Sequence, residues 1–465
     1  MNKPRVSPVR EYDIIIVGSG AGLDILDMAV EHGHTVALID RGPIGGTCLN
    51  VGCIPSKMLI FPADRIMEIR ESAKLGIDTA IPAIDFKAIM NRMRHLVNSD
   101  SAKIEKYLKE SKALDFYHGE AEFIDDFTLA VGDETIKGKQ IYLVSGSRPL
   151  IPPIPGLDTV EYLTNETLLD LEEVPKSMVV LGGGYIGVEY AHFFEAMGTD
   201  VTIIEMRSRL LPNEEPEVSA YLQMALSRRM TVQTECTAES VEKAPGGGVI
   251  IHTGHSRTGM KAEIRAQRLL MATGRRSNAD LLKVSRSGIA IAKNGYIKVN
   301  SRLETNVKGI YALGDAIGRE MFTHTAHAEA EIAGANGIHG QHLRMDFTAS
   351  PHAVFTHPQI ASVGLLEEQA AQKFKIKVGR ADYGDIALGS AMMQDEGFAK
   401  IIMEARNNRI LGCHIIGPWA SVLIQEVINA MARRGTMDDI AAGIHIHPAL
   451  SELIVKALFN AAEAE

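Results

Sequence analysis

The chain has 465 residues, 46% of them hydrophobic and 23% charged, proportions that support several cores and exclude a disordered chain. A formal charge of −10 leaves no basic excess to neutralise phosphates, which argues against a nucleic-acid partner. No apolar run approaches the roughly 18 residues of a membrane span, the polar, proline-broken start (1–11) is unlike a secretory leader, and four cysteines are too few for a secreted disulfide scaffold, so a soluble cytoplasmic protein is expected.

In chain order, Asp13-Ile-Ile-Ile-Val17 is a short β-branched run that opens onto Gly18, Gly20 and Gly22. Such a run is too short for a helix and predicts a buried parallel strand. A second run, Val36 to Ile39, ends in Asp40. About 165 residues further on the pattern returns: Met178 to Leu181, then Gly182, Gly183, Gly184 and Gly187, then Val201 to Ile204 ending in Glu205. Strand, glycine turn, helix, strand and acid therefore occur twice, which predicts two doubly wound domains. The proline-rich stretch from Arg148 to Gly156 reads as an extended connector, and a further boundary is expected near Gly274. Beyond about residue 346 short strands (353–355, 399–402, 410–416) alternate with helical segments (367–374, 421–433), which predicts a mixed α+β domain.

Glycines after a strand let the backbone approach a pyrophosphate, and the helix that follows presents unpaired N–H groups to it. Asp40 is placed to accept from a ribose hydroxyl, although the third glycine position of the first turn is Leu23. The second turn has all three glycines. Glu205 would accept from a free 2′-hydroxyl and repel a 2′-phosphate, which favours NAD, while Arg207 leaves NADP open.

The densest motif is Gly45-Gly-Thr-Cys-Leu-Asn-Val-Gly-Cys-Ile-Pro-Ser-Lys57. Two cysteines five positions apart do not meet on a regular helix, so the turn at Asn50-Val51-Gly52 must distort if they pair. Two buried thiols or half of a metal site are the bland alternatives. Cys236 and Cys413 are isolated and no Cys-x-x-Cys occurs, so no metal site is expected. A redox-active pair beside a bound flavin fits better, with a helix N-terminus lowering a thiol pKa.

These residues resemble the signature of the flavoprotein disulfide reductases, the class I pyridine nucleotide–disulfide oxidoreductases. Four further segments are similar to that family: Ala272–Asn278, Thr305–Asp315, Val354–Gly364 and His445–Glu452. The resemblance runs from about residue 11 to 458. It implies an α/β fold of two Rossmann-like dinucleotide-binding domains plus a C-terminal α+β dimerisation domain. The segments would be 1–150 and 275–345 for FAD, 151–274 for NAD(P) and 346–465 for the interface of a homodimer.

The resemblance also implies roles. Cys48 would be the interchange thiol that attacks a substrate disulfide, and Cys53 would exchange electrons with the flavin. Lys57 would lie near the flavin and pair with Glu189. His447, oriented by Glu452, would be the acid–base for Cys48, reaching across from the other subunit. FAD would be held by Gly18, Gly20, Gly22, Asp40, Arg41, Thr47, Lys57, Gly146 and Asp315. NAD would be held by Gly182, Gly184, Tyr185, Ile186, Gly187, Glu205, Gly274 and Arg275, with Tyr185 covering the nicotinamide pocket. Without the resemblance His447 is not distinguished among 16 histidines, and His352, His357 and His414 are given no role.

Within the family, Gly182–Glu189, Glu205 and the His445–Glu452 ending resemble dihydrolipoamide dehydrogenases. Gly18–Asp27 and Asp382–Met392 are more similar to the mycothione reductase branch, which implies a small-thiol disulfide instead. A mercuric reductase is less expected, since the C-terminus carries no cysteine pair, and a flavin-binding scaffold without turnover is disfavoured because every catalytic position is filled.

Overall fold

The structure is a computed structural model and describes residues 9–81 and 83–463. Most of the polar start (1–8) and the last two residues of the cysteine-free tail (464–465) lie outside the described residues. The chain divides into two compact units.

The first unit takes the chain up to Pro55, then Asn91–Leu150 and Gly274–Asp346. Its main sheet runs Leu114–His118, Val36–Asp40, Arg10–Val17, Glu134–Leu143, Thr128–Val131, Ala121–Asp125, with Ile310–Ala312 also paired to Glu134–Leu143. The pairs among the first four strands and Ile310–Ala312 are parallel, whereas Thr128–Val131 pairs antiparallel with both its neighbours. The β-branched run is buried on both faces. Ile14, Ile16, Val36 and Leu38 join one core cluster, while Ile15, Val17, Ala37 and Ile39 join another. Alternation between two apolar surroundings is why such strands read as continuous hydrophobic runs. The helices Gly22–Glu31 and Thr323–Ile338 pack against each other over one of these cores.

The second unit comprises Ser56–Met90, Ile151–Thr273 and Phe347–Glu465. It repeats the parallel arrangement in a four-stranded sheet ordered Thr231–Gln233, Asp200–Ile204, Ser177–Leu181, Arg268–Met271. A five-stranded antiparallel sheet follows, ordered Pro351–Val354, Ile360–Gly364, Ile410–Ile416, Phe398–Glu404, Ile376–Asp382. Helix Glu452–Glu463 lies so close to its edge that a Cβ on Gly379 would stand 2.1 Å from the carbonyl oxygen of Ala457.

Three features differ from the sequence reading. An antiparallel sheet of Cys236–Lys243, Val249–His255 and Lys261–Ala266 stands where the sequence reading named no element. The expected helix over 421–433 is two, Ala420–Leu423 and Gln425–Ala432, and that over 367–374 stops at Ala371. Finally, Ser56–Met90 groups with the second unit rather than with the rest of 1–150. Polar bonds explain this: Asp64 to His192 at 3.0 Å, Arg70 to Glu195 at 2.7 Å and Glu71 to His357 at 2.6 Å. No described helix is long and apolar enough to cross a membrane.

Candidate active site

The duplicated turns match down to single atoms. Gly18 has φ +112° and Gly182 φ +110°, and a Cβ on either would stand 2.2 Å from a carbonyl oxygen, that of Val144 or of Ala272. Only glycine fits such a conformation at such an approach. The acid at the end of the next strand closes each turn. Asp40 Oδ2 accepts the N–H and hydroxyl of Ser19, both at 2.6 Å, and Glu205 Oε2 accepts the N–H of Gly183 at 2.6 Å. The second oxygen of each takes a backbone N–H two residues on, from Gly42 and from Arg207, both at 2.7 Å.

The remaining glycines divide by task. A Cβ on Gly184 would meet nothing within 4 Å, and one on Gly20 would meet only Gly46 Cα at 3.8 Å. The middle position of each turn is thus open to an incoming pyrophosphate, as dinucleotide binding requires. A Cβ on Gly187 would stand 2.0 Å from Gly182 O, which is the close helix–strand approach of the third position. In the first turn Gly22 takes over that approach, 3.0 Å from Ile16 Cγ2, and the half-buried Leu23 packs into the core. Both turns therefore fit dinucleotides.

The cysteine motif distorts where the sequence requires it to. Helix Gly46–Val51 ends at Gly52, whose φ −129°, ψ −115° is not helical, and helix Cys53–Glu71 begins at once. A Cβ on Gly52 would stand 2.9 Å from Thr47 O. Cys48 is half-buried, Cys53 is exposed and the two are reduced rather than joined in a disulfide. The bond to Cys53, together with burial, pushes the Cys48 thiol up from its ordinary value, and the Thr323 hydroxyl opposes this. The expected lowering by a helix N-terminus is thus not the outcome at Cys48, because a neighbouring thiol and desolvation outweigh it. Thr323 Oγ1 also lies 3.6 Å from Cys53 Sγ. Nothing in the motif spacing marks Thr323, which precedes the pattern of its own helix.

The other residues expected at FAD fall in the same unit, except Lys57, which lies in the second. Asp315 accepts from Ser147 Oγ at 2.5 Å, and Arg275 Nε donates to that hydroxyl at 2.7 Å. Gly274 and Arg275, expected beside the nicotinamide turn, thus belong to the unit that holds Asp315 and Gly146. Thr47 Oγ1 is 4.0 Å from where a Cβ on Gly146 would stand. Arg41 is exposed and paired with Glu120 at 3.4 Å. Helix Thr323–Ile338 also carries Glu329, a fully buried acid that sequence reasoning missed. Its Oε2 accepts the N–H of Gly314 at 2.6 Å, its Oε1 has no partner among the described residues, and burial raises its pKa to about 7.

In the second unit Lys57 Nζ donates to both oxygens of Glu189, at 3.1 and 2.8 Å, and stands 4.5 Å from the centre of the Phe355 ring. His447 Nδ1 lies 2.9 Å from Glu452 Oε1 on an exposed edge, and Glu452 Oε2 accepts the N–H of Ala449 at 3.0 Å. That backbone bond, then the histidine, holds the Glu452 carboxyl below its ordinary range. Tyr185 and Ile186 open helix Tyr185–Ala196 and are half-buried. Three carboxylates, of Glu215, Glu217 and Glu367, have oxygens within 4.8 Å of one another, but buried Lys400 reaches all three, at 2.9, 2.5 and 2.5 Å. An ammonium stands among these carboxylates.

Two dinucleotide turns, a thiol pair at a broken helix and an antiparallel C-terminal sheet define a flavin-dependent thiol–disulfide redox protein. The chain belongs to the pyridine nucleotide-disulphide oxidoreductases: that family's model matches residues 12–330 and the model of its dimerisation domain residues 350–458. Members are FAD-containing enzymes that use NAD(P)H. The chain is 35% identical over 462 residues to mycothione reductase of Mycobacterium tuberculosis, covering 97% of this chain and 99% of that one. It is 34% identical over 456 residues to dihydrolipoyl dehydrogenase of Geobacillus stearothermophilus, with 96% and 95% covered. Its fold matches the Cu(II) complex of the HOCl-induced flavoprotein disulfide reductase RclA from Escherichia coli, with TM-score 0.86 and 28% identity over 97% of this chain and 99% of that one.

Proposed function

We propose that the chain is an NAD-linked oxidoreductase of a dithiol/disulfide pair, with dihydrolipoamide as the substrate and NAD as the acceptor. The observation that carries the nucleotide choice is Glu205, a buried carboxylate set at the second glycine turn by Gly183 N–H. A fixed negative charge there accepts from a ribose hydroxyl and repels a 2′-phosphate. Arg207 is exposed and adds its backbone N–H to the bonds that fix Glu205.

In this reading a substrate thiolate attacks Cys48 of a Cys48–Cys53 disulfide, and Cys53 leaves as thiolate. The second substrate sulfur then displaces Cys48, so the substrate is oxidised to its disulfide and the cysteine pair is reduced by two electrons. His447, held at Nδ1 by Glu452, takes the proton at Nε2. Bound FAD would supply a two-electron carrier between the Cys48–Cys53 pair and NAD. Gly18, Gly20, Gly22, Asp40, Thr47, Gly146 and Asp315 would hold FAD, and Glu189 holds Lys57 as a fixed cation. His447 is exposed between Ile444 and Ile446, 102% and 77% exposed, and Pro448. Bare isoleucines beside the acid–base support a homodimer in which His447 serves the partner's cysteines.

A second reading, reduction of a low-molecular-weight thiol disulfide, draws support from the likeness to mycothione reductase. It also draws on Asp24 in the first turn of helix Gly22–Glu31, paired there with His327 at 2.5 Å. The test is anaerobic reduction of NAD by purified, FAD-loaded protein with dihydrolipoamide. Fast NADH formation is expected. A thiolate–flavin charge-transfer band on adding NADH, with negligible turnover of any lipoyl substrate, would overturn the lipoamide assignment in favour of the small-thiol reading.

A further inference from the structure

Behind the second glycine turn sits a buried carboxylate that neither the redox chemistry nor the nucleotide motif uses. Glu214 is 0% exposed and takes three side-chain donors from three elements. Tyr185 Oη, from the first position of helix Tyr185–Ala196, donates to Oε1 at 3.0 Å. His352 Nε2, from strand Pro351–Val354, bonds the same oxygen at 2.5 Å, and Ser362 Oγ, from strand Ile360–Gly364, donates to Oε2 at 2.6 Å. The His352 ring also packs on that of Tyr185, centroids 5.6 Å apart. Burial works against the charge, yet the His352 and Ser362 bonds hold the Glu214 carboxyl below its ordinary range, as expected of a buried anion with several donors.

The segment that carries Glu214 is stitched to the turn itself. Leu211 N–H donates to Gly183 O at 2.9 Å, and Glu214 N–H returns to Leu211 O at 3.0 Å. Leu211 holds φ +45° to make this connection, a left-handed conformation that a leucine adopts only when its surroundings impose it. The distance from glycine turn to carboxylate is therefore fixed by backbone bonds.

We propose that Glu214 is a positioning residue for nicotinamide-nucleotide binding, acting by pinning the Tyr185 ring beside the Gly182–Gly187 turn. A tyrosine at the first position of a phosphate-binding helix stands where the dinucleotide arrives. Unpinned, its ring samples several rotamers that binding must then freeze; pinned, that cost is already met. His352 and Ser362 keep the carboxylate from turning away. This inference rests on the reading that the Gly182–Gly187 turn binds NAD.

The test is NAD affinity of the oxidised holoenzyme, read by calorimetry, which needs no turnover. Tyr185→Phe and Glu214→Ala should each weaken NAD binding roughly five- to tenfold, the scale of one net intramolecular hydrogen bond. The double variant should be no weaker than either single one, because both remove the same bond. Glu214→Gln, which keeps an acceptor, should return binding to within about twofold of wild type. Unchanged or tighter binding in Tyr185→Phe, or additive losses in the double variant, would overturn the inference. Should Glu214→Ala fail to give holoenzyme, Tyr185→Phe alone decides, and wild-type affinity there overturns the inference. Gly187→Ala separates the two readings: its Cβ would strike Gly182 O at 2.0 Å, so it must abolish binding if the turn is the NAD site. Loss there with no effect at Tyr185 overturns only the role of Glu214; wild-type affinity in Gly187→Ala overturns the site.

Discussion

Oε1 of Glu189 is shared between two donors, the Lys57 ammonium at 3.1 Å and the backbone N–H of Phe355 at 2.8 Å. One carboxylate on helix Tyr185–Ala196 thereby ties the cysteine-bearing helix to the loop between strands Pro351–Val354 and Ile360–Gly364.

Removal of that carboxylate should cost more than its charge alone. Glu189→Ala orphans the Phe355 N–H as well as Lys57, and should lower stability by about 2 kcal/mol, against roughly half that for Glu189→Gln, which keeps an acceptor for Phe355. Urea unfolding of the FAD-loaded protein measures both; equal losses would mean that the backbone bond contributes nothing.

The His447–Glu452 contact predicts a split between substrates. His447→Ala should reduce turnover with a dithiol by about 10²–10⁴-fold, the range for loss of a general acid–base. NADH oxidation by an artificial electron acceptor should barely change. If both fall together, His447 has a structural task.

Glu329 predicts a pH dependence of stability. Its native pKa is raised from 4.5 to about 7, chiefly by burial, with Asp315 and Glu320 adding to the rise and the Gly314 N–H and Arg319 opposing it. The native state keeps this proton to higher pH than the unfolded chain does. The stabilising contribution is therefore complete below 4.5 and is lost as pH rises through about 7, some 3 kcal/mol in all. Glu329→Gln retains a partner for Gly314 N–H and cannot ionise. Relative to wild type it should gain stability at pH 8 over pH 5 in thermal unfolding; an unchanged difference at the two pH values would show that Glu329 does not titrate there.

The legible parts of the chain are those written in local sequence. The glycine turns, their acids and the break at Gly52 are each enforced within a few residues by a backbone clash or a turn conformation. The exposed and buried positions of Lys261–Ala266, by contrast, do not alternate strictly, so that sheet leaves a weak periodic trace. Glu214, Ser147, Thr323 and Phe355 acquire their partners from far along the chain, and histidines such as His352 take meaning only from the carboxylate they meet. Arg275 shows the same limit: its motif is plain, but its partners Ser147 and Asp315 decide which unit it serves.

Lys400 amid Glu215, Glu217 and Glu367 has a consequence for handling the protein. The charge that neutralises this acidic nest is covalently tethered, so it neither dissociates on dilution nor yields to a chelator. Cutting the tether, as in Lys400→Ala, would leave three carboxylates whose oxygens converge within 4.8 Å, with the buried Glu215 deprived of its counter-charge.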